Sequence, residues 1–228
     1  MPVSRFLLLG GIAAAPLFIL TDIVAATLVY PGYDYSAQQV SELSAIGAPS
    51  RDFWMIMGYP YNLLTLAFAA GVWLAAGRRT SLKVAAVLIV LFAINSFLWG
   101  WVAPMHMRGN QFTDTDTMHI AFAGSAVALM VGFIGAGALA LGRGFRIFSA
   151  MVVLAMLAAG AVVSTQIAAI AANQPTPWMG LVERVSVYSP MIWMMILAVL
   201  LLREPEPRPT VAMAGRDTER HGVIGQSR

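Results

Sequence analysis

The chain has 228 residues, 59% of them hydrophobic and only 11% charged, where a soluble domain carries about 25% charge. That scarcity, with a mean hydropathy of +0.74, excludes a disordered chain and most soluble folds. A net charge of only +3 removes the nucleic-acid-binding reading that a pI of 9.6 would otherwise invite, and the lack of cysteine removes disulfides, thiolate metal sites and cysteine nucleophiles.

A hydrocarbon core about 30 Å thick takes about 20 apolar residues to cross as a helix. Six segments qualify: 6–29, 53–76, 84–103, 119–141, 147–170 and 185–202. Their apolar runs are continuous rather than alternating, so they predict helices and not a β-barrel. The fold class that follows is all-α, a polytopic bundle of six transmembrane helices over residues 1–202. A polar, Pro-rich tail at 203–228 is expected to be disordered. Lys and Arg fix the orientation. Arg5, then Arg78, Arg79 and Lys83, then Arg143 and Arg146, then Arg203, Arg208, Arg216, Arg220 and Arg228 fall on one side, while only Arg51, Arg108 and Arg184 fall on the other. Both termini are therefore expected in the cytoplasm, and the location expected is the plasma membrane. The length and flanks of span 1 argue against a cleaved signal peptide.

Span 1 carries Asp22 near its outer end, and an ionisable residue inside a span is a functional candidate. Its ordinary reading is a structural acid bonded to Asn95 or Thr21, or one hydrated near the surface. In the loop that follows, Pro31-Gly32 signals a turn. Ser36 with Gln39 three residues later reads as a capping box that starts a short helix, and Gly47 with Pro49 reads as its stop. That helix would lie across the bundle mouth with Ser41 and Glu42 free to face a cavity.

Span 2 holds Asn62 and span 3 holds Asn95 and Ser96, all in their outer halves. The loop at 104–118 brings His106, Arg108, Asp114 and Asp116, and His119 opens span 4. His106, Asp114 and His119 could supply ligands to Zn²⁺, but their spacing matches no metal motif. The simpler reading is that Asp114, Thr115 and Asp116 cap span 4. Within span 4, Gly124, Ala128, Gly132 and Ala136 repeat every fourth residue, which predicts a helix-packing face. Span 5 ends in Ser164, Thr165 and Gln166, and Thr176-Pro177 predicts the start of the last helix, where Glu183 and Arg184 stand. Arg184 is expected to pair with Glu183, Asp34, Glu42 or Asp114, or to snorkel to headgroups. Trp54, Trp99, Trp101 and Trp178 read as an interfacial belt.

Polar side chains in the spans thus gather in the outer layer, and the inner halves are nearly bare. Polar groups in hydrocarbon cost several kcal/mol unless paired or wetted. The arrangement therefore predicts an outward-facing polar pocket lined by Asp22, Asn62, Asn95 and Gln166.

Three stretches carry a family resemblance: the first loop (YPGYDYSAQQVSELSAIGAPSR), the start of span 4 (TDTMHIAFAG) and the start of span 6 (GLVERVSVYSPMIW). They resemble a bacterial and archaeal family of six-span membrane proteins catalogued as domain of unknown function 998, over about residues 6–202. The resemblance implies the six-helix topology and places Ser41, Glu42, His119 and Arg184 in one site. It implies no activity and no cofactor.

Three functions compete on these grounds. The first is binding or transport of a small polar molecule or lipid headgroup, with the bilayer as the other partner. The second is a structural scaffold. The third is an intramembrane hydrolase, metal-dependent or not, with His119 as base or ligand, His106, Glu42 or Asp114 completing the site and Ser41 as nucleophile or oxyanion donor. The balance leans away from an enzyme.

Overall fold

The computed structural model describes residues 1–204, so most of the tail expected to be disordered lies outside the described residues. Among them there are seven α-helices and no strand. α1 (Val3–Val24) runs on through one π-helical turn (Ala25–Val29), and a short 3₁₀ helix (Val40–Ser44) lies in the loop after it. α2 (Arg51–Ala75), α3 (Thr80–Val102), α4 (Asp114–Ala138) and α5 (Arg143–Ser164) follow. A one-turn α6 (Ile167–Ala171) then leads into α7 (Met179–Arg203). Six of these elements are long and apolar enough to cross a membrane.

The helices outrun the apolar segments at several ends. Hydropathy marks the slab, whereas backbone hydrogen bonding continues through polar residues such as Arg51-Asp52 and Asp114–Met118. α4 begins as a capping box, with Thr113 N and Oγ1 both 2.9 Å from Asp116 Oδ2. Span 5 stops six residues short of expectation. There the Ser164 and Thr165 hydroxyls take the Ala161 and Val162 carbonyls at 2.7 Å, which competes with the helical ladder. The loop helix also starts later than Ser36 predicts. Asp34 Oδ1 accepts from Ser36 N, Ser36 Oγ and Ala37 N, which makes a turn at that point. Gln39, whose N–H reaches Glu42 Oε1 at 2.8 Å, then caps the 3₁₀ helix. Likewise Thr176 does not cap α7, which begins at Met179 after Trp178.

The helices form a ring in the order α4, α3, α2, α1, α7, α5. The closest pair is α1 and α2, because Gly10 and Gly71 let the backbones meet. A Cβ on Gly71 would sit 2.7 Å from Leu8 N, and one on Gly10 would sit 2.4 Å from Leu64 O. The ring closes least tightly between α4 and α5.

The start of α1 and the end of α7 share one face, the terminal face. There Arg79 forks onto Glu204 at 2.6 and 2.7 Å, tying the turn between α2 and α3 to the end of α7. The half of the bundle nearest this face packs around Trp193, which is fully buried, with Phe133 and Phe145 rings at 5.6 and 5.5 Å, and its hollow is an open groove of about 590 Å³ on the flank beside Phe148 and Leu200. The Trp193 indole N–H reaches Ser149 Oγ at 2.8 Å. The opposite half, at the loop face, holds every feature described next.

Candidate functional site

Four successive carbonyls, those of residues 35–38, organise the loop face. Arg184 donates to Tyr35 O at 2.9 Å, and Gly180 N to Ser36 O at 2.9 Å. Arg108 and Thr176 both donate to Ala37 O, at 2.9 and 2.8 Å, and Tyr33 Oη donates to Gln38 O at 2.9 Å. Gly180 makes this possible, since a Cβ there would lie 2.2 Å from Gln38 O. Burial pushes the Tyr33 phenol above its ordinary pKa against the pull of Arg184, so it stays a neutral donor. Asp34 at the surface is held below the usual carboxylate range by the Ser36 hydroxyl and amide.

Beneath the turn lies a buried ion pair. Arg184 donates to Asp22 through Nε and Nη2, both at 2.8 Å, with the two residues 4% and 0% exposed. Its remaining N–H groups go to Tyr35 O, Gly180 O at 3.0 Å and Tyr33 Oη at 3.1 Å, so all five are used. The guanidinium lies 3.5 Å over the Tyr35 ring, and the Tyr188 hydroxyl donates to Asp22. Glu42 pairs with Arg108, whose Nε and Nη2 reach its two oxygens at 2.7 Å. The sequence expectations for Asp22 (Asn95, Thr21 or water) and for Arg184 (Glu183, Asp34, Glu42 or Asp114) are corrected here: each is the other's partner.

His106 turns Nδ1 to Asp116 Oδ2 at 2.9 Å, and Asp116 also accepts from His106 N at 2.8 Å. His119 Nδ1 lies 2.9 Å from both Trp99 Nε1 and Ala103 O, accepting from the indole in one tautomer and donating to the carbonyl in the other. No three His, Asp or Glu side chains among the described residues are grouped to share a metal ion. The weak metal candidates His106, Asp114 and His119 therefore do not assemble, because Asp116 takes His106 and the end of α3 takes His119.

A cavity of about 640 Å³ fills the loop-face half of the bundle. Its α4 wall comes from the start of that helix and its α5 wall from the end. Its floor includes Phe92, Met130, Met156 and Met191. Aromatic walls come from Phe18, Trp54, Tyr61, Phe97, Trp99 and Trp101. The roof is polar, with Ser41, His106, Arg108, Asp116 and Glu183. Ile120 and Gly124 on α4 and Leu157 and Ala161 on α5 line the cavity and are also exposed. The lining is therefore exposed along the loose α4–α5 seam, and also at Tyr59, Phe97 and Trp101 on α2 and α3 and at Asn110, Gln111 and Phe112 in the loop before α4.

Of the sequence-predicted site residues, Ser41, Asn62 and His119 line this cavity, and Asp22, Glu42, Asn95, Gln166 and Arg184 do not. Asn95 is consumed between helices, accepting from Ser125 Oγ at 2.7 Å. Gln166 is the residue before α6. Other span polar groups bond within their own helix, as Thr65 does to Tyr61 O at 2.9 Å and Asn62 Nδ2 to Gly58 O at 2.8 Å. Burial of polar side chains therefore needs no polar pocket. Sequence reasoning missed Tyr33, Tyr35 and Tyr188, which carry no charge signal, and left Arg108 without a role.

Comparison with known proteins gives one match. Residues 12–200 fit a family described as Protein of unknown function (DUF998). No curated protein and no solved structure matches the chain.

Proposed function

The chain belongs to the family described as Protein of unknown function (DUF998), which names no activity, and from that premise we propose that it takes an amphiphile, a lipid or lipid-like molecule, into the cavity between α4 and α5. The observation that carries this reading is the cavity's composition and opening. Its volume of about 640 Å³ falls within the range of about 300–1,000 Å³ usual for ligand pockets. Its walls suit an acyl chain and its roof suits a headgroup. The polar groups that would serve a small polar solute, Asp22, Asn95 and Gln166, lie outside the lining, which favours an amphiphile. With the termini in the cytoplasm of a plasma-membrane protein, as the Lys and Arg bias suggests, the cavity would draw on the outer leaflet.

Two glycines on either side of the seam allow a direct test. A Cβ on Gly124 meets nothing within 4 Å, and one on Gly160 meets only Ser186 Oγ at 3.7 Å. The double variant Gly124→Trp, Gly160→Trp should fill the cavity and keep the fold. Native mass spectrometry of the purified protein should show a bound amphiphile in the wild type and its loss in the variant. A wild type that carries none, or a variant that retains it in full, would reject the reading.

A second reading, an intramembrane hydrolase, has one observation in its favour. The His106–Asp116 dyad lines the cavity, and His106 Nε2 has no hydrogen-bond partner among the described residues. A His106→Gln variant that keeps the bound amphiphile but stops its turnover would favour it. A wild type that leaves its bound amphiphile unchanged on incubation would retire it.

A further inference from the structure

The charges around the cavity do not cancel. Asp22 is matched by Arg184, Glu42 by Arg108, and Asp116 is in contact with His106. Glu183 remains. It lines the cavity from the second turn of α7, and no Lys, Arg or His of the described residues forms an ion pair with it. Its Oε2 accepts from Val40 N at 2.5 Å, and its Oε1 makes no hydrogen bond. Two more polar atoms on the cavity lining are buried without a partner, Asn62 Oδ1 and Tyr61 Oη. Asn62 Nδ2 donates one N–H to Gly58 O, so the atom of this side chain left wholly without a partner is the acceptor Oδ1. The one Lys or Arg among the lining residues, Arg108, is committed to Glu42, Thr176 and Ala37. An anionic headgroup would thus find no free positive charge. A cation would find a carboxylate oxygen, spare acceptors and the faces of Trp54, Tyr61, Trp99 and Trp101.

Resting on the amphiphile reading above, we propose that the cavity selects molecules bearing an ammonium group, which pairs with Glu183 while the apolar chain occupies the space between α4 and α5. The ammonium belongs to a lipid amine headgroup or to a free alkylammonium. Both present the same chemistry to the site.

The test uses the full chain in nanodiscs of phosphatidylglycerol, with quenching of the cavity-lining tryptophans as readout. Dodecylammonium and dodecanol are titrated separately, each affinity being referred to that probe's own partition into protein-free nanodiscs, so the chain is constant and the attraction of the anionic lipid for the cation is removed. In the wild type the ammonium should bind about tenfold tighter than the alcohol. Glu183→Gln keeps an acceptor for Val40 N and removes the charge. It should bring dodecylammonium down to the alcohol's affinity and leave dodecanol unchanged. Equal affinity of the two probes in the wild type, or an ammonium preference that survives Glu183→Gln, would overturn the proposal while leaving the amphiphile reading standing. Failure of both probes to bind would overturn both. Nanodiscs that also contain phosphatidylethanolamine separate the sources. Competition with the probe assigns the site to a lipid amine, and unchanged binding assigns it to a free amphiphile.

Discussion

A guanidinium buried beside its carboxylate, with every N–H occupied, holds the loop face at residue scale. Breaking such a pair from one side leaves a charge stranded in low dielectric, at a cost of about 3–5 kcal/mol, whereas replacing both partners with apolar side chains is often close to neutral. Asp22→Leu and Arg184→Met should each lower the melting temperature in detergent markedly. Asp22→Leu combined with Arg184→Met should recover much of the loss. Additive losses in the double variant would argue that Asp22 and Arg184 act separately. The three basic residues that the charge bias leaves on this face all prove to be fasteners. Arg51 donates to Ser44 O and to Gly100 O at 3.1 Å, Arg108 holds Glu42, and Arg184 holds Asp22. Their departure from the bias was legible in the sequence. Their partners were not, since Asp22 and Arg184 lie 162 positions apart and no periodicity links them.

At the scale of elements, helix identity was readable and helix contact was not. Hydropathy finds a 20-residue apolar run because lipid demands one. Pro16, Pro60 and Pro190 sit inside continuous helices, so none marks an end. The four-residue repeat in α4 packs along its second half only: a Cβ on Gly132 would sit 3.1 Å from Leu88 Cδ1 and Ala136 packs against the core, whereas Gly124 and Ala128 are exposed. The tight crossing belongs to Gly10 and Gly71, which no repeat advertises. A small residue matters only where a neighbouring backbone arrives, and one sequence does not say which neighbour that is. Gly71→Leu should therefore destabilise the α1–α2 pair by at least about 1–3 kcal/mol through overpacking. Gly135→Leu, where a Cβ meets nothing within 4 Å, should change stability by less than about 0.5 kcal/mol. Thermal melts of the two purified variants compare them directly, and equal losses would contradict the assigned crossing.

For the whole molecule, the uneven distribution of polarity along the chain predicted one busy end of the bundle and one bare end, and the described residues divide that way: Trp193, Phe133 and Phe145 pack the half near the terminal face, and the large cavity lies in the half near the loop face. What the sequence could not give was the character of the hollow. Most serine, threonine and asparagine side chains of the spans bond on their own or adjacent helices, with Asn62 Oδ1 and Ser189 Oγ as exceptions, and aromatic and aliphatic groups make up most of the lining. Orientation can be tested cleanly because the chain has no cysteine. Gln111→Cys at the loop face should react with a membrane-impermeant maleimide in intact cells, and Thr80→Cys at the terminal face only after permeabilisation. The opposite pattern would invert the proposed topology.

The turn at residues 35–38 is gripped through each of its four carbonyls, from α7, from the 104–113 loop and from Thr176. On the amphiphile reading proposed above, a guest enters along the α4–α5 seam and not through this fastened turn. Traffic into the hollow would then be a two-dimensional encounter. Occupancy would follow the guest's mole fraction in one leaflet rather than its concentration in bulk water, so diluting the suspension would leave it unchanged, while diluting the membrane with inert lipid would empty it.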